Sequence, residues 1–558
     1  MKYWIILIPS LLMTGSLPGQ VYLPEKNYKA RTASEILINI SNAYGSGMNV
    51  PRLMIKSKKD TDHKYIATFI PGDNPAIIID EEVYDICAGY GTDSLNALAS
   101  LIGHEASHHF EKHNFCSDFA FVLGNDHDLT QKIRKTELNE KVRYEAEADF
   151  YGCFYGYVAG YNTYKMLPGV LDKIYTAYGL PDNVEGYPSK TERKEIAMKS
   201  YKDIEPWITV FEAGMIFALI KEYESAQRCF DYLAGKFPSR EIINNSAVIS
   251  LLEAVDLYKY DEFPFILPIE FDAETRLRTG ESRSGINDMS DEQRNNERYK
   301  KAESAIMAFD QAVSRDPFYT NAKINKACAY IILENYNMAL GLAQEAEKET
   351  NLTEADKSGI FTLQGLAYYF MTEPENAGEA FEKALSMDKS ILCRYNLRKF
   401  NDLNKSILED FMNYIGMFYE ENNEQGATKQ TPLHPDYEKV HGTEVSSLKK
   451  ETMKSCVVVS GKPDIVIYFD RKESNNMYLF QFGDEVLRVI RSTGTIADST
   501  YLGIRINDQE QEIRKKYGNP SYMIGTTDGF YLAYRKRGIL FHIDSAGKLD
   551  HRMVYIRQ

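Results

Sequence analysis

Two histidines four positions apart, with a glutamate after the first, constrain this chain more than any other stretch. Residues 103–108 read Gly-His-Glu-Ala-Ser-His, after an apolar stretch with a helix-capping signal at 92–94. On a helix, positions i and i+4 share a face, so the imidazoles of His104 and His108 can converge on one metal ion. Glu105 stands beside them, where a carboxylate can take a proton from water. The pattern predicts a helix that carries part of a zinc site.

A second predicted helix supplies carboxylates for the same site. A catalytic zinc ion takes three protein ligands and keeps one open position. The helical stretch predicted from near Asp128 carries Glu145 and Asp149 at i and i+4, so one can bind the metal and the other can orient a ligand imidazole. Glu147 points about 200° away from Glu145 around the helix, which makes it the weaker ligand candidate.

These residues resemble the gluzincin metallopeptidases that include HtpX and the CAAX prenyl proteases. The resemblance is closest to a soluble periplasmic branch in which tetratricopeptide repeats follow the protease. Four signatures occur in order between residues 104 and 193. They are His-Glu-x-x-His-x-x-x-x-His at 104–113, Glu-x-x-Ala-Asp at 145–149, Ala-Gly-Tyr-Asn at 159–162 and Pro-Ser-Lys-Thr-Glu-Arg at 188–193.

The resemblance implies an exported zinc endopeptidase with one zinc ion per chain. His104, His108 and Glu145 would be the zinc ligands, and Glu105 would be the catalytic base. Asp149 would support a ligand histidine from behind. The predicted partners are protein substrates, unfolded or misassembled envelope proteins among them.

Two positions depart from the family pattern. Ala146 stands where the family has an aromatic residue, which changes packing behind the site but not its ligands. Tyr187 stands where the family has a histidine that approaches the metal, while Arg193 matches the family's arginine. The Tyr187 hydroxyl can stabilise a developing oxyanion, and we name it as a catalytic candidate. The alternative is a loop aromatic that packs near the site.

The net charge and the N-terminal residues indicate which partners and which cellular location to expect. The net charge of -15 and pI near 5.3 argue against nucleic acid or an anionic membrane surface as a partner. Residues 1–19 hold one lysine and a short apolar run, which predicts a signal peptide, with an uncleaved anchor as the alternative. No later run predicts a membrane span, so the expected location is periplasmic or secreted. The seven cysteines show no close pair, and we assign them no metal or redox role.

The expected architecture is multidomain. A mainly α metallopeptidase domain with a small β-sheet occupies 20–203. Its β-rich runs at 64–70 and 76–80 include either an edge strand that pairs with extended substrate or buried core strands. Residues 204–400 form an α-helical tetratricopeptide solenoid, interrupted by a charged, Gly- and Ser-rich insertion at 261–297 that we expect to be a long loop. A linker at 401–452 precedes a small α+β domain at 453–558.

The solenoid prediction rests on small and aromatic residues at tetratricopeptide offsets. Such residues are packing groups, and the concave surface of the stack is where protein partners would bind. A rival function follows from this: a protein-binding assembly or quality-control factor in which proteolysis is minor, restrained or absent. The positions that match the repeat are Gly214, Phe217, Ala226, Phe230, Leu233, Pro238, Ala305, Phe309, Ala312, Pro317, Ala327, Tyr330, Ala339, Ala343, Ala346, Gly365, Tyr368, Ala377, Phe381 and Ala384.

Overall fold

A computed structural model gives the fold of the chain. It describes residues 21–45, 50–60, 66–113, 119, 138–185, 187–259, 262–271, 289–349, 352–388, 391–404, 434–472, 475–492, 498–526, 529–544 and 546–558. The predicted signal peptide, the start of the second site helix near Asp128 and most of the linker lie outside these residues. The chain divides into two compact units, the first made of residues 1–41, 49–156 and 161–203 and the second of residues 42–48, 157–160 and 204–558.

The first unit combines helices with one small sheet. Helix α3 holds the two histidines of the motif, and α4 holds the carboxylates predicted to join them. The first residues of α6, up to Asp203, belong to this unit. The helices are α1 (Tyr28–Tyr44), α2 (Glu81–Ala88), α3 (Ser94–Phe110), α4 (Leu138–Val158), α5 (Leu167–Ala177) and α6 (Lys190–Leu219).

The sheet of the first unit has three strands, β1 (Arg52–Lys56), β2 (Ala67–Ile70) and β3 (Ala76–Asp80), in the order β1-β3-β2. The isoleucine-rich strand β3 is central, parallel to β1 and antiparallel to β2, and all five of its residues are buried. It is therefore a core strand and not a substrate-pairing edge. The edge strand that packs on α3 is β2, where the Phe69 ring lies 5.8 Å from the His109 ring.

Helices α3 and α4 cross where two glycines meet. A Cβ atom on Gly103 would stand 2.7 Å from the Gly152 carbonyl oxygen, and one on Gly152 would stand 2.5 Å from the Gly103 carbonyl carbon. Any larger residue would push the two backbones apart. Because Gly103 directly precedes His104, and Gly152 lies one turn beyond Asp149, this crossing brings the α4 carboxylates to the α3 histidines.

The second unit begins with a stack of helices in which each packs on the next along the chain. A Cβ atom on Gly214 of α6 would meet the Phe230 ring at 2.9 Å, and one on Gly365 would meet the Phe381 ring at 2.8 Å. The same glycine-to-phenylalanine contact recurs in two helix pairs, so the prediction of helical repeats is confirmed. The further helices are α7 (Tyr223–Ala234), α8 (Arg240–Asp256), α9 (Asp291–Arg315), α10 (Thr320–Ile332), α11 (Tyr336–Ala346), α12 (Glu354–Phe370), α13 (Pro374–Met387) and α14 (Ile391–Asn404).

The chain closes with an antiparallel eight-stranded sheet and one helix, α15 (Glu510–Tyr517). The sheet order is β4-β5-β6-β7-β11-β10-β9-β8, so two meanders join through the β7–β11 pair. Short β runs at 457–459, 465–469, 486–490, 531–534, 538–543 and 553–556 predict six of these strands, while β6 and β8 were not predicted from the sequence. The strands are β4 (Ser455–Val459), β5 (Ile465–Arg471), β6 (Asn475–Phe482), β7 (Glu485–Ser492), β8 (Tyr522–Thr526), β9 (Gly529–Tyr534), β10 (Ile539–Asp544) and β11 (Leu549–Arg557).

This sheet packs on the helices that open the second unit. The Arg471 guanidinium donates to Glu212 Oε2 at 2.5 Å, and the Tyr478 hydroxyl donates to the same oxygen at 2.9 Å. The ring centroids of Phe217 and Phe480 lie 4.5 Å apart. Polar and apolar contacts therefore join the sheet to helix α6.

Within the described ranges, no helix is both long enough and apolar enough to cross a membrane. The same ranges hold six free cysteines, five of them buried, while Cys116 lies outside. Burial raises the pKa of the Cys87 and Cys153 thiols to about 12, so both stay protonated at neutral pH.

Candidate metal centre

Three side chains from α3 and α4 converge at the glycine crossing. The Nε2 atoms of His104 and His108 lie 3.1 Å apart. Glu145 Oε2 is 3.3 Å from His104 Nε2, and Glu145 Oε1 is 3.9 Å from His108 Nε2. None of the three side chains is exposed to solvent. This group of two imidazoles and one carboxylate could hold a metal ion.

The geometry and the donor types fit zinc. Two ligand atoms bound at about 2.0–2.2 Å to a tetrahedral zinc ion stand roughly 3.3–3.6 Å apart, and the observed separations bracket that value. Charge also fits, because Glu105, Glu145 and Asp149 are buried with the single guanidinium of Arg193. Ionised, these four groups leave two formal negative charges, which a divalent cation would balance.

The ring of His104 is held from behind by a carboxylate and a guanidinium. Its Nδ1 lies 2.8 Å from Asp149 Oδ1. Arg193 donates from both terminal nitrogens to Asp149, at 2.6 and 2.7 Å, and this pair is fully buried. With Nδ1–H bonded to Asp149, the Nε2 lone pair of His104 faces the ligand cluster. The sequence analysis had named Asp149 as the support of a ligand histidine and Arg193 as the match to the family's arginine, and the structure brings both to His104.

The ring of His108 has an equivalent support that the sequence analysis did not assign. His113 Nδ1 lies 3.0 Å from His108 Nδ1, and His113 Nε2 lies 3.0 Å from Glu147 Oε2. The Tyr144 ring stacks on His113 with centroids 4.4 Å apart. Burial lowers the pKa of His113 against the raising effect of Glu147, which favours a neutral ring. Glu147 therefore contacts His113 and does not belong to the group of three candidate ligands, and it forms the end of a second supporting arm.

A turn at the end of α3 places His113. Lys112 adopts a left-handed backbone with φ of 58°. The His113 N–H donates to the His108 carbonyl at 2.8 Å, and the Lys112 N–H donates to the His109 carbonyl at 3.1 Å. These two bonds form a Schellman motif, which folds the chain back so that His113 lies beside His108. The left-handed position of this motif is usually a glycine, so a lysine at this position gives no signal of the motif in the sequence.

Glu105 and Tyr187 are the proposed catalytic residues, and both are buried. Glu105 lies on α3 between the two candidate ligand histidines. Tyr187 packs in an apolar cluster with Ile78 and Tyr144, and Lys141 Nζ stands 5.3 Å from the centre of its ring. This packing is what the loop-aromatic alternative expects. A role for the Tyr187 hydroxyl in catalysis stays a prediction.

The other two signatures are local structure around the site. Residues 159–162 form a turn in which the Asn162 N–H donates to Asn96 Oδ1 of α3 at 2.9 Å. At the start of α6, Ser189 and Glu192 form reciprocal bonds, with the Ser189 N–H donating to Glu192 Oε2 at 2.7 Å and the Glu192 N–H donating to Ser189 Oγ at 3.2 Å. This capping box fixes the first turn of α6, from which Arg193 projects.

The described residues contain a second group of metal-ligand types, in the C-terminal sheet. His542 Nδ1 and His551 Nδ1 each lie 2.7 Å from Asp550 Oδ1. A bulge in the β10–β11 pairing leaves Asp550 as the extra residue beside His551. The Tyr531 hydroxyl stands 2.8 Å from His551 Nε2. These contacts form a complete hydrogen-bond cluster, so we assign it no metal.

Comparison with known proteins leaves the site to be interpreted from its own geometry. No family model and no curated protein matches the chain. A solved structure of a monomeric IFIT1 mutant with Gppp-AAAA is 12% identical, with 58% of this chain and 67% of that chain covered, at a TM-score of 0.30. A tetratricopeptide repeat protein from Parabacteroides merdae is 13% identical, with 47% and 93% covered, at a TM-score of 0.21. Both scores are too low to carry an argument.

Proposed function

We propose that this chain is a zinc-dependent endopeptidase of the gluzincin type that acts on protein substrates. The observation that carries the proposal is the buried convergence of His104, His108 and Glu145, with the Nδ1 atom of each histidine engaged on the side away from the cluster. Metal-binding histidines are typically held by a hydrogen bond at their second ring nitrogen, and both of these histidines have such a contact. The order of the sequence signatures supports the same conclusion.

Different residues of the chain have different roles in the proposed peptide hydrolysis. When bound, a zinc ion would polarise a peptide carbonyl and lower the pKa of water at the open position. The Glu105 carboxylate accepts the proton of the attacking water and passes it to the leaving amine nitrogen. Asp149 and Arg193 hold the His104 ring in place. The helical repeats bind protein substrates or partners.

The alternative is a protein-binding factor whose metal centre is structural. Helical repeats are common binding scaffolds, and the tyrosine at 187 leaves the family's histidine unmatched. Glu105→Gln separates the two functions, because the amide keeps the shape of the side chain but cannot accept the proton. We expect unchanged zinc content, unchanged partner capture and hydrolysis slower by about 10²–10⁴-fold.

The measurement is cleavage of an unfolded test protein by the wild-type chain and the Glu105→Gln variant at matched zinc content. Glu195→Gln, the same substitution at an exposed position of α6, serves as the control and should cleave at the wild-type rate. Equal turnover by the wild type and Glu105→Gln would contradict the mechanism. Cleavage by neither protein, with zinc and partners still bound, would support the binding factor.

A further inference from the structure

Residues 262–271 lie between α8 and α9 and form no helix. They read Glu-Phe-Pro-Phe-Ile-Leu-Pro-Ile-Glu-Phe and fall within the insertion that the sequence predicted as a long loop. Instead of projecting into solvent, the segment is buried against the repeat helices. The six large apolar residues of the segment are each at most 8% exposed, namely Phe263, Phe265, Ile266, Leu267, Ile269 and Phe271.

Two buried asparagines clamp the backbone of this segment. Asn325 of α10 accepts from the Glu270 N–H at 2.9 Å and donates to the Glu270 carbonyl at 2.7 Å. Asn396 of α14 does the same at Ile266, with distances of 2.9 and 2.8 Å. Each asparagine side chain therefore pairs with both main-chain groups of one residue, as a neighbouring strand would.

Further donors reach carbonyl oxygens of the same segment. The Tyr395 hydroxyl donates to the Pro264 carbonyl at 3.1 Å, and Asn321 Nδ2 donates to the Phe271 carbonyl at 3.3 Å. Asn325 also donates to Asn244 Oδ1 at 2.9 Å, which ties α8 into the same network. The acceptors of these bonds are main-chain atoms, so these contacts do not depend on which side chains the segment carries; at the start of the segment, the Glu262 side chain also accepts from Arg294 at 2.6 Å.

Aromatic rings of the repeats contact the two phenylalanines that precede the first clamp. The Phe263 ring stacks on Phe370 with centroids 5.5 Å apart, and the Phe265 ring stacks on Phe381 at 5.9 Å. Backbone recognition combined with apolar ring contacts is the chemistry by which a groove holds an unfolded, apolar polypeptide. A core segment held by apolar packing alone would not require two fully buried asparagines, which cost free energy unless they are bonded.

We propose that the repeats hold residues 262–271 as an internal peptide ligand, in a groove that fits an unstructured apolar polypeptide segment. The groove is closed to other chains while this segment is in place. A segment tethered at both ends competes at an effective concentration on the order of millimolar, so an added peptide binds the intact chain weakly. The proposal is independent of the metal centre.

The test uses the full chain with residues 262–271 replaced by a Gly-Ser sequence of equal length. A fluorescent peptide with the sequence of residues 262–271 is titrated, and anisotropy reports binding. We expect 1:1 binding by the Gly-Ser variant and binding at least tenfold weaker by the wild type. Adding Asn396→Ala should weaken binding by about 5- to 100-fold, because the peptide amide and carbonyl lose their partner. Asn376→Ala, an exposed position of α13, should leave the affinity unchanged.

Equal affinity for the wild type and the Gly-Ser variant, or no binding by a folded Gly-Ser variant, would overturn the proposal. If the Gly-Ser variant does not fold, amide exchange distinguishes an internal ligand from an integral core segment. In the Asn325→Ala and Asn396→Ala double variant, an internal ligand predicts exchange at Ile266 and Glu270 at least tenfold faster, with α10 and α14 still protected. Loss of protection in the segment and the helices together would show an integral core segment and overturn the proposal.

Discussion

The proton positions at the metal centre follow from contacts between single residues. If the Nε2 lone pair of His108 faces the ligand cluster, the ring proton must be on Nδ1, which then donates to His113 Nδ1. That leaves the proton of His113 on Nε2, where it donates to Glu147 Oε2. This one set of protons satisfies both contacts of the His113 ring, so His113 and Glu147 favour the form of His108 that can bind a metal ion.

We expect Glu147→Gln and His113→Phe to weaken zinc binding by about 10- to 100-fold, because each breaks the arm that orients His108. Glu145→Ala should abolish tight binding, since it removes a ligand. Competition with a chromophoric chelator measures the affinities. Glu195→Gln, at an exposed position of α6, is the control. A larger loss of zinc affinity in Glu147→Gln than in Glu145→Ala would show that the ligand assignment is wrong.

The buried histidine His551 in the C-terminal sheet should make the free energy of unfolding depend on pH. Burial, opposed by Asp550, lowers the pKa of His551 to about 4. The unfolded chain binds the proton near pH 6.5, so the free energy of unfolding falls as the pH drops from about 6.5 to about 4. We expect a loss of about 2 kcal/mol at pH 5 from this group. Urea unfolding at pH 7.5 and 5.0 should show that loss in the wild type, and an equal loss in His551→Gln would contradict it.

At the scale of elements, the α3–α4 crossing decides whether the ligands meet. Gly103 and Gly152 are in backbone contact, so neither helix position can carry a Cβ without a shift of the backbone. The repeats use glycine in another way, because Gly214 and Gly365 each make room for a phenylalanine ring. In both places the absence of a side chain sets the distance between two helices.

Gly152→Ala should lower the free energy of unfolding by about 1–3 kcal/mol and weaken zinc binding, because the added methyl group separates α4 from α3. Gly341→Ala provides the matched control in a helix, since nothing lies within 4 Å of its added Cβ. That substitution should stabilise the chain by up to about 1 kcal/mol. Unchanged zinc affinity in Gly152→Ala would show that the ligand geometry does not depend on the crossing.

At the scale of the second unit, the C-terminal sheet is joined to the first repeat helices. Glu212 accepts from Arg471 and Tyr478, and the Tyr522 hydroxyl donates to the Leu219 carbonyl at 2.8 Å. The sequence had suggested that the tail is a separable domain behind a linker. Removal of the tail would therefore take two donors from the half-buried Glu212 carboxylate and expose the Phe217 ring.

Deletion of residues 453–558 should therefore loosen residues 204–234 while α12 and α13 stay intact. Amide exchange in that range should become at least tenfold faster, because apolar and charged groups lose their partners. Arg471→Ala in the full chain removes only one of these contacts, and it should also make amide exchange in residues 204–234 faster, by a smaller factor. Unchanged exchange in both proteins would show that the tail is separable.

The sequence by itself determined the features that depend on local spacing. Two histidines at i and i+4 predict one helix face, and small residues at tetratricopeptide offsets predict stacked helices, because helical period and propensity act over a few residues. The repeats follow that prediction. Runs of β-forming residues predict six of the eight strands of the C-terminal sheet, while β6 and β8 were not predicted.

Only the tertiary structure decided which distant residues meet. The pairing of His113 with Glu147 depends on a left-handed lysine and on the crossing of two helices, and neither leaves a signal in local spacing. The same holds for residues 262–271, whose place among α10 and α14 is set by asparagines more than fifty positions away along the chain. Contacts over such distances depend on the free energy of the whole packed unit, which no short stretch of sequence contains.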